Sequence, residues 1–370
     1  MQKPRSKLVQ ASSFAGCFRR RLLDVVTPAL LLAVSACAGP SPQHLASDGA
    51  AEMPKVEISS DSQYATATIS VLTYNIEGLG WPARSNREQQ LAEIAKRLAA
   101  MRRAGTAPDV VMFQEMFSSA AKAAVGATGY PAIVSGPNRT TEPDEKLEAM
   151  PGMRRIHHGE IGLHLAGSGL AIASRYPVSF VGRRAFGNHA CAGLDCLANK
   201  GIVLARISVP GLPVPIDIYD THLNSQRSAH VKAERSLIAH NRQDMEAFQF
   251  VDTTRGDTSP VIFGGDFNMK RSDKRWEDFS QYGNLSLVHR VCADRDALCE
   301  VRLSWDGDTP WKDTEDLQLF ANGETVSIRP IRVEAMFDGG ASGPRLSDHD
   351  GLLVTYELRW PVAVKTAQAN

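Results

Sequence analysis

Val261 to Met269 reads VIFGGDFNM, and the rest of the chain is organised around this stretch. Val261, Ile262 and Phe263 form a short apolar run of the kind that makes a buried strand. Gly264 and Gly265 follow, where side chains would prevent close backbone approach to a ligand. Asp266 and Asn268 stand two apart, so an extended backbone points both to one side. Alone, the stretch would serve as an ordinary turn, since Gly, Asp and Asn are turn residues. Four further polar constellations in the chain argue against that.

Asn75 ends a strand pattern in L-T-Y-N-I, and Glu115 ends another in M-F-Q-E. His222 closes Y-D-T-H-L, and Asp348 with His349 precede the last strand pattern in L-S-D-H-D. Each is weak by itself: a carboxylate at a strand end is often a loop residue, and a lone histidine is often structural. Together they place oxygen ligands and an acid–base group at the ends of apolar strands.

The N-terminus reads as an export signal. Arg19, Arg20 and Arg21 precede an apolar run from Val25 to Val34 that is too short to span a bilayer. The V-S-A-C ending resembles a bacterial lipobox, which implies that Cys37 is acylated and becomes the first mature residue. Ala38 after the cysteine implies delivery to the outer membrane, so the expected location is periplasmic or cell-surface. Residues 38–67 are rich in Ser, Pro, Ala and Gly and read as a flexible tether. Residues 68–360 read as one catalytic domain and 361–370 as a tail. The whole chain is formally neutral, with 41 basic and 41 acidic residues. Beyond Cys37 that leaves 35 basic against 40 acidic residues, the wrong sign for a tight electrostatic binder of nucleic acid. Cys191, Cys196, Cys292 and Cys299 remain, and in an exported protein they read as two disulfides. Proximity suggests Cys191–Cys196 and Cys292–Cys299, among the three pairings that four cysteines allow.

Strand patterns recur at Thr68–Ile76, Val110–Glu115, Gly169–Pro177, Gly201–Val209, Ile216–Leu223, Arg332–Phe337 and Leu352–Leu358. Leu91, Ile94, Ala95 and Leu98 recur at helical spacing and predict a helix over Arg87–Arg103. A second helix is expected over Ala229–Phe250, with Val231, Ile238 and Met245 at heptad spacing. Strands beside strands with helices interspersed indicate an α/β (α+β) sandwich. Pro137–His158 and Trp305–Gly323 lack a core pattern and read as surface loops.

In order, Y-N-I, Q-E, S-G-L-A-I-A-S-R-Y-P, T-H-L, G-G-D-F-N and S-D-H resemble the endonuclease/exonuclease/phosphatase superfamily of metal-dependent phosphoesterases. The resemblance implies a four-layer sandwich: two mixed β-sheets face to face, helices outside and the site at one rim. It implies Glu115 as the main metal ligand, with Asn75 and Asp348 beside the ion. Oxygen ligands suit Mg²⁺, with Mn²⁺ or Ca²⁺ as alternatives. His349 is implied as general base, Asp266 and Asn268 as positioning the nucleophile and phosphate, and His222 as donor to a phosphate oxygen. The family's aspartate that orients the histidine has its nearest match in R-V-E-A-M-F, which puts Glu334 in that role.

Cys191–Ile207, CAGLDCLANKGIVLARI, resembles the sphingomyelinase-type phospholipases C of this superfamily, with Lys200 as a phosphate contact. A lipid anchor and the acidic balance also suit a membrane phospholipid. Trp305 and Trp311 are candidates for a bilayer interface. A nuclease of the same fold, a phosphomonoesterase and a non-catalytic tethered binding protein are the competing readings. The protein is expected to act as a monomer.

Overall fold

The computed structural model describes residues 53–80, 83–144, 146–294, 298–302, 313–340 and 343–362. Cys37, the signal, Trp305 and Trp311 lie outside the described residues. One sheet has eight strands. In chain order these are β1 (Glu57–Ile58), β2 (Tyr64–Asn75), β3 (Val110–Gln114), β4 (Ala132–Ser135), β5 (Ala171–Ser174), β11 (Glu300–Arg302), β13 (Ser327–Met336) and β14 (Gly351–Pro361). They run in the order β11-β13-β14-β2-β3-β5-β4, with β1 on the edge of β2. The other six are β6 (Val178–Ala185), β7 (Gly201–Ile207), β8 (Ile216–His222), β9 (Val261–Asp266), β10 (Ser286–Leu287) and β12 (Asp316–Ala321). Their order is β10-β12-β9-β8-β7-β6.

The alternation of side chains along each strand separates three cores. Val71, Met112, Ile218, Ile262 and Val354 fill the space between the sheets. Leu72, Phe113 and Ile133 face the other way, against α1 (Arg87–Arg103) and α2 (Ser119–Ala127) through Leu91, Leu98 and Val125. Leu204, Tyr219 and Phe263 pack against α3 (Ala233–Thr254) and α4 (Asp273–Phe279) through Phe248, Trp276 and Phe279. Helix, sheet, sheet, helix is the expected four-layer arrangement, and both sheets are mixed. A short helix, α5 (Val288–Ala293), carries Cys292, whose partner is Cys299. Cys191 pairs with Cys196, so both nearest-neighbour disulfides form.

Three local expectations change. The first long strand begins at Tyr64 rather than Thr68, and Glu57–Ile58 pairs with it, so ordered sheet reaches into the stretch read as tether. Helix α3 does not bury a heptad stripe: Met245 is exposed, and the buried face holds His240, Gln243, Asp244, Ala247 and Val251. Part of the stretch read as a surface loop at 305–323 is the strand β12, with Asp316, Leu317, Gln318 and Leu319 buried in the sheet.

Two parallel pairs lie at the centre, one in each sheet. β2 runs beside β3, with Asn75 opposite Gln114, and β8 runs beside β9, with His222 opposite Asp266. Their carboxyl ends therefore open on one rim. Close approach in the second pair depends on Gly265, which has φ 146° and whose Cβ would collide with the Thr221 carbonyl. Gly265→Ala is expected to lower stability by about 3 kcal/mol. Thermal unfolding checks this; an unchanged midpoint would mean that the β8–β9 ladder relaxes around a side chain.

Candidate active site

The rim gathers six chain segments. β14 is antiparallel to β2, so the residues just before it, Asp348 and His349, reach the ends of β2 and β3. β12 is antiparallel to β9 with Asp316 directly opposite Asp266, so its first residue joins them. Asp266 is the meeting point. Its Oδ2 accepts from Asn75 Nδ2 at 3.0 Å and lies 3.4 Å from His222 Nε2 and 3.9 Å from His349 Nε2. Its Oδ1 accepts the Asn268 backbone N–H at 2.9 Å. The Asn75 bond joins the two sheets.

His349 does not meet Glu334. Its Nδ1 lies 2.7 Å from Asp316 Oδ2. Glu334 instead pairs with Arg302 and Arg332 on the far side of β13, at 2.9 and 2.7 Å. The orienting carboxylate is thus an aspartate after all, carried by a strand that the acidic run T-E-D disguised as loop. Ser347 was also missed. Its hydroxyl donates to the Asn75 carbonyl at 2.7 Å and accepts the His349 N–H at 3.2 Å, fixing the histidine segment to the end of β2. Glu315 is a third addition, 3.9 Å from His349 Nε2. No sequence spacing marks it, because its place depends on β12 lying next to β9.

Electrostatics separates the histidines. Burial pushes His222 well below its usual value and Lys200 pushes it further, so it is neutral. Burial also depresses His349, but the charge and hydrogen bond of Asp316, with Asp266, outweigh it and hold that imidazole well above its usual value. Burial raises Asp266 to about 6, against the opposing pull of His349 and Asn75.

Glu115 sits just past β3 with φ 60°, a left-handed backbone that is costly for a residue with a side chain. Burial, reinforced by Asp266 and Asp348, lifts its carboxyl to about 7, with His349 and Asn75 opposing. Such a crowded set of hard oxygen donors fits a divalent cation held through few protein ligands and several waters. Among the described residues no three His, Cys, Asp or Glu side chains are grouped so as to hold a metal ion by themselves. Asp348 is exposed and lies 3.6 Å from Arg84.

Lys200 is buried, and its ammonium donates to Leu223 O at 2.7 Å and meets Asp195 at 2.8 Å. Asn268 gives its side-chain amide to the same Leu223 carbonyl at 3.1 Å. Behind them, the buried Arg275 of α4 donates to the carbonyls of Asn224 at 2.6 Å and Asn268 at 2.8 Å, clamping together the loops that follow β8 and β9. Asn75, Glu115 and Asp266 thus converge with His222 and His349 on one centre. Asn268, Lys200 and Asp348 border it, and Glu334 is not part of it.

Asp316→Asn is expected to lower kcat by about a thousandfold or more, because the imidazole loses its orienting carboxylate. Glu334→Gln is expected to leave kcat within about twofold, as changes outside the site do. Steady-state kinetics of the two variants check the reassignment. The reverse ranking would restore the first expectation.

The model of the Endonuclease/Exonuclease/phosphatase family matches residues 72–349. A Drosophila melanogaster protein with a provisional neutral sphingomyelinase name is 25% identical over 217 residues, 55% of this chain and 40% of that protein. The chain thus spans well under half the length of that relative. Among solved structures, Sphingomyelinase C from Streptomyces griseocarneus superposes with TM-score 0.53 at 20% identity, covering 78% of this chain and 99% of its own. Beta toxin from Staphylococcus aureus with bound magnesium ions gives TM-score 0.52 at 18% identity, over 78% of this chain and 99% of its own. D. rerio TDP2 complexed with a single-strand DNA product gives 0.51 at 16%, over 78% and 98%. At these identities the likenesses speak for the fold alone. The family model spans well over half of the sequence, and the chain belongs to the Endonuclease/Exonuclease/phosphatase family.

Proposed function

We propose that this protein is a Mg²⁺-dependent phosphodiesterase that cleaves a phospholipid headgroup, exported and held at a membrane by an acylated Cys37. The observation that carries the substrate class is the two-sided cleft. It measures about 760 Å³, and its floor holds Glu115, His222, Asp266 and His349. Part of its wall is apolar, built from Leu79, Phe117, Leu165, Leu194 and Leu197, and the rest is polar, with Arg84, Arg227, Lys270 and Arg271. A substrate joining a phosphodiester to hydrocarbon matches both sides. The sphingomyelinase relative and the sphingomyelinase C fold support the same reading. The TDP2 likeness keeps a nuclease as the second reading, against which stands the acidic excess beyond Cys37.

In this reading water attacks phosphorus, the bond to the leaving oxygen breaks, and the proton of the water passes to His349 Nε2. Asp316 holds the ring through Nδ1 and so fixes which nitrogen faces the water. Asp266 orients the water. Neutral His222 offers an N–H to a non-bridging oxygen, where negative charge grows. Glu115 would be the principal metal ligand, with Asn75 and Asp348 as the further residues to hold the ion or its waters. The cation, when bound, polarises a phosphoryl oxygen and offsets charge in the transition state.

The decisive assay offers sphingomyelin, phosphatidylcholine and plasmid DNA side by side, with Mg²⁺ and then with EDTA. Metal-dependent headgroup release with intact DNA is expected; nicked DNA with untouched lipid would transfer the protein to the nucleases. His349→Ala is expected to remove turnover while leaving the fold intact. A second readout does not need turnover. Mg²⁺ is expected to raise the thermal midpoint of the wild type, because the ion binds only the folded site. Glu115→Gln is expected to abolish that rise. It also melts higher than wild type without metal above pH 7, where the native carboxyl is ionised and its burial costs stability. Below the ordinary carboxylate range that difference vanishes. A full Mg²⁺ response in Glu115→Gln would move the metal elsewhere.

A further inference from the structure

The apolar wall of the cleft continues onto the outside of the molecule. Pro151 to His158 are eight consecutive exposed residues. Within and just after them Met153, Ile156 and Leu163 are 81%, 59% and 67% exposed. Single exposed apolar side chains are ordinary, but these three lie on one segment that packs beside the turn carrying Leu194, itself 38% exposed and part of the cleft wall. The short 3-10 turn Ile156–His158 packs on the turn Gly193–Leu197, and Gly159 lies against Leu194. Further along, Leu165 N–H donates to Leu197 O at 2.7 Å. Arg154 folds back over Gly162, next to Leu163.

The segment is held at both ends. Arg235 of α3 donates to the Pro151 carbonyl at 2.7 Å and to both oxygens of the buried Glu160 at 2.6 Å. Glu160 in turn accepts the N–H groups of Arg155 at 2.7 Å and Gly193 at 3.1 Å. The apolar side chains therefore stand out from a pinned backbone. The stretch itself is one-signed: Gly152 to Gly159 contains Arg154, Arg155, His157 and His158 and no carboxylate. Glu160, the nearest acid in sequence, is buried against Arg235.

We propose that this ridge, Met153 to Leu163 with Leu194, docks the cleft mouth onto an anionic phospholipid bilayer. The apolar side chains enter the headgroup boundary and Arg154 and Arg155 meet lipid phosphates and carboxylates. The inference rests on the phospholipid reading of the site. It makes the ridge the element that aligns the cleft with the membrane plane, beyond any tethering at Cys37.

The test uses the full chain carrying Cys37→Ser, so that no acyl group contributes. Sedimentation with phosphatidylcholine vesicles, with and without phosphatidylserine, measures docking. Turnover of bis(p-nitrophenyl) phosphate measures the chemistry apart from any lipid. Met153→Ser/Ile156→Ser/Leu163→Ser, at surface positions, is expected to lower vesicle partitioning by about tenfold or more with diester turnover unchanged. Arg154→Glu/Arg155→Glu is expected to remove only the preference for phosphatidylserine. Unchanged partitioning in the triple variant would overturn the proposal. So would a parent protein that ignores vesicles, including one that pairs with a protein through this face; headgroup release from detergent-dispersed lipid would then leave the phospholipid reading intact. Ridge-dependent vesicle binding with no headgroup release from any lipid would overturn that reading instead and leave the docking surface standing.

Discussion

The cleft depends on two parallel strand pairs that face each other across the sandwich and end on the same rim. Parallel neighbours deliver their carboxyl ends together, so β2–β3 and β8–β9 bring Asn75, Glu115, His222 and Asp266 to one place without any long loop. The hydrogen bond from Asn75 to Asp266 links the sheets at the mouth. Deeper in, Gln114 donates to Asp220 at 2.6 Å across the same gap. Gln318 reaches from β12 to the backbone carbonyls of Val71 and Leu352 in the opposite sheet. An apolar core fixes only the spacing of two sheets, whereas directional bonds of this kind also fix their sliding and rotation. A site assembled from both sheets needs that second constraint.

The layer behind the site is correspondingly polar. The inward face of α3 buries His240, whose Nε2 lies 2.8 Å from the Phe267 carbonyl, and Gln243, whose amide bonds to Ala190 O at 2.6 Å. With Arg275 these side chains satisfy the carbonyls and amides of loops that would otherwise be buried without partners. That explains why the heptad stripe of Val231, Ile238 and Met245 is not what the helix buries. Its task is to hold the loops after β8 and β9, and loops present backbone polar groups rather than hydrocarbon.

Local chemistry made most of the site legible. Glycines before a carboxylate, acids and histidines ending apolar strands, and their order along the chain pointed to Asn75, Glu115, His222, Asp266 and His349, and the structure joins all five. The partner of His349 was misread. Glu334 lies in a clear strand pattern at a plausible distance before the histidine, whereas Asp316 follows an acidic, polar run that looks like loop. Both stand on strands near the last one. Only Asp316 has a side chain on the inner face of the sheet beside β9, while Glu334 faces arginines on the outer side.

Sequence by itself determined the central strands, the first long helix, the family and the residues that close those strands, and it suggested the two disulfides, because each depends on side-chain periodicity or on neighbours a few positions away. Tertiary structure decided which carboxylate orients His349, that Ser347 and Glu315 belong to the site, and that Arg275 braces it. It also decided that an apolar wall and ridge flank the catalytic floor. These depend on which strands lie side by side and which face each side chain takes, and strand order is set by the packing of the whole sandwich rather than by any single stretch of chain.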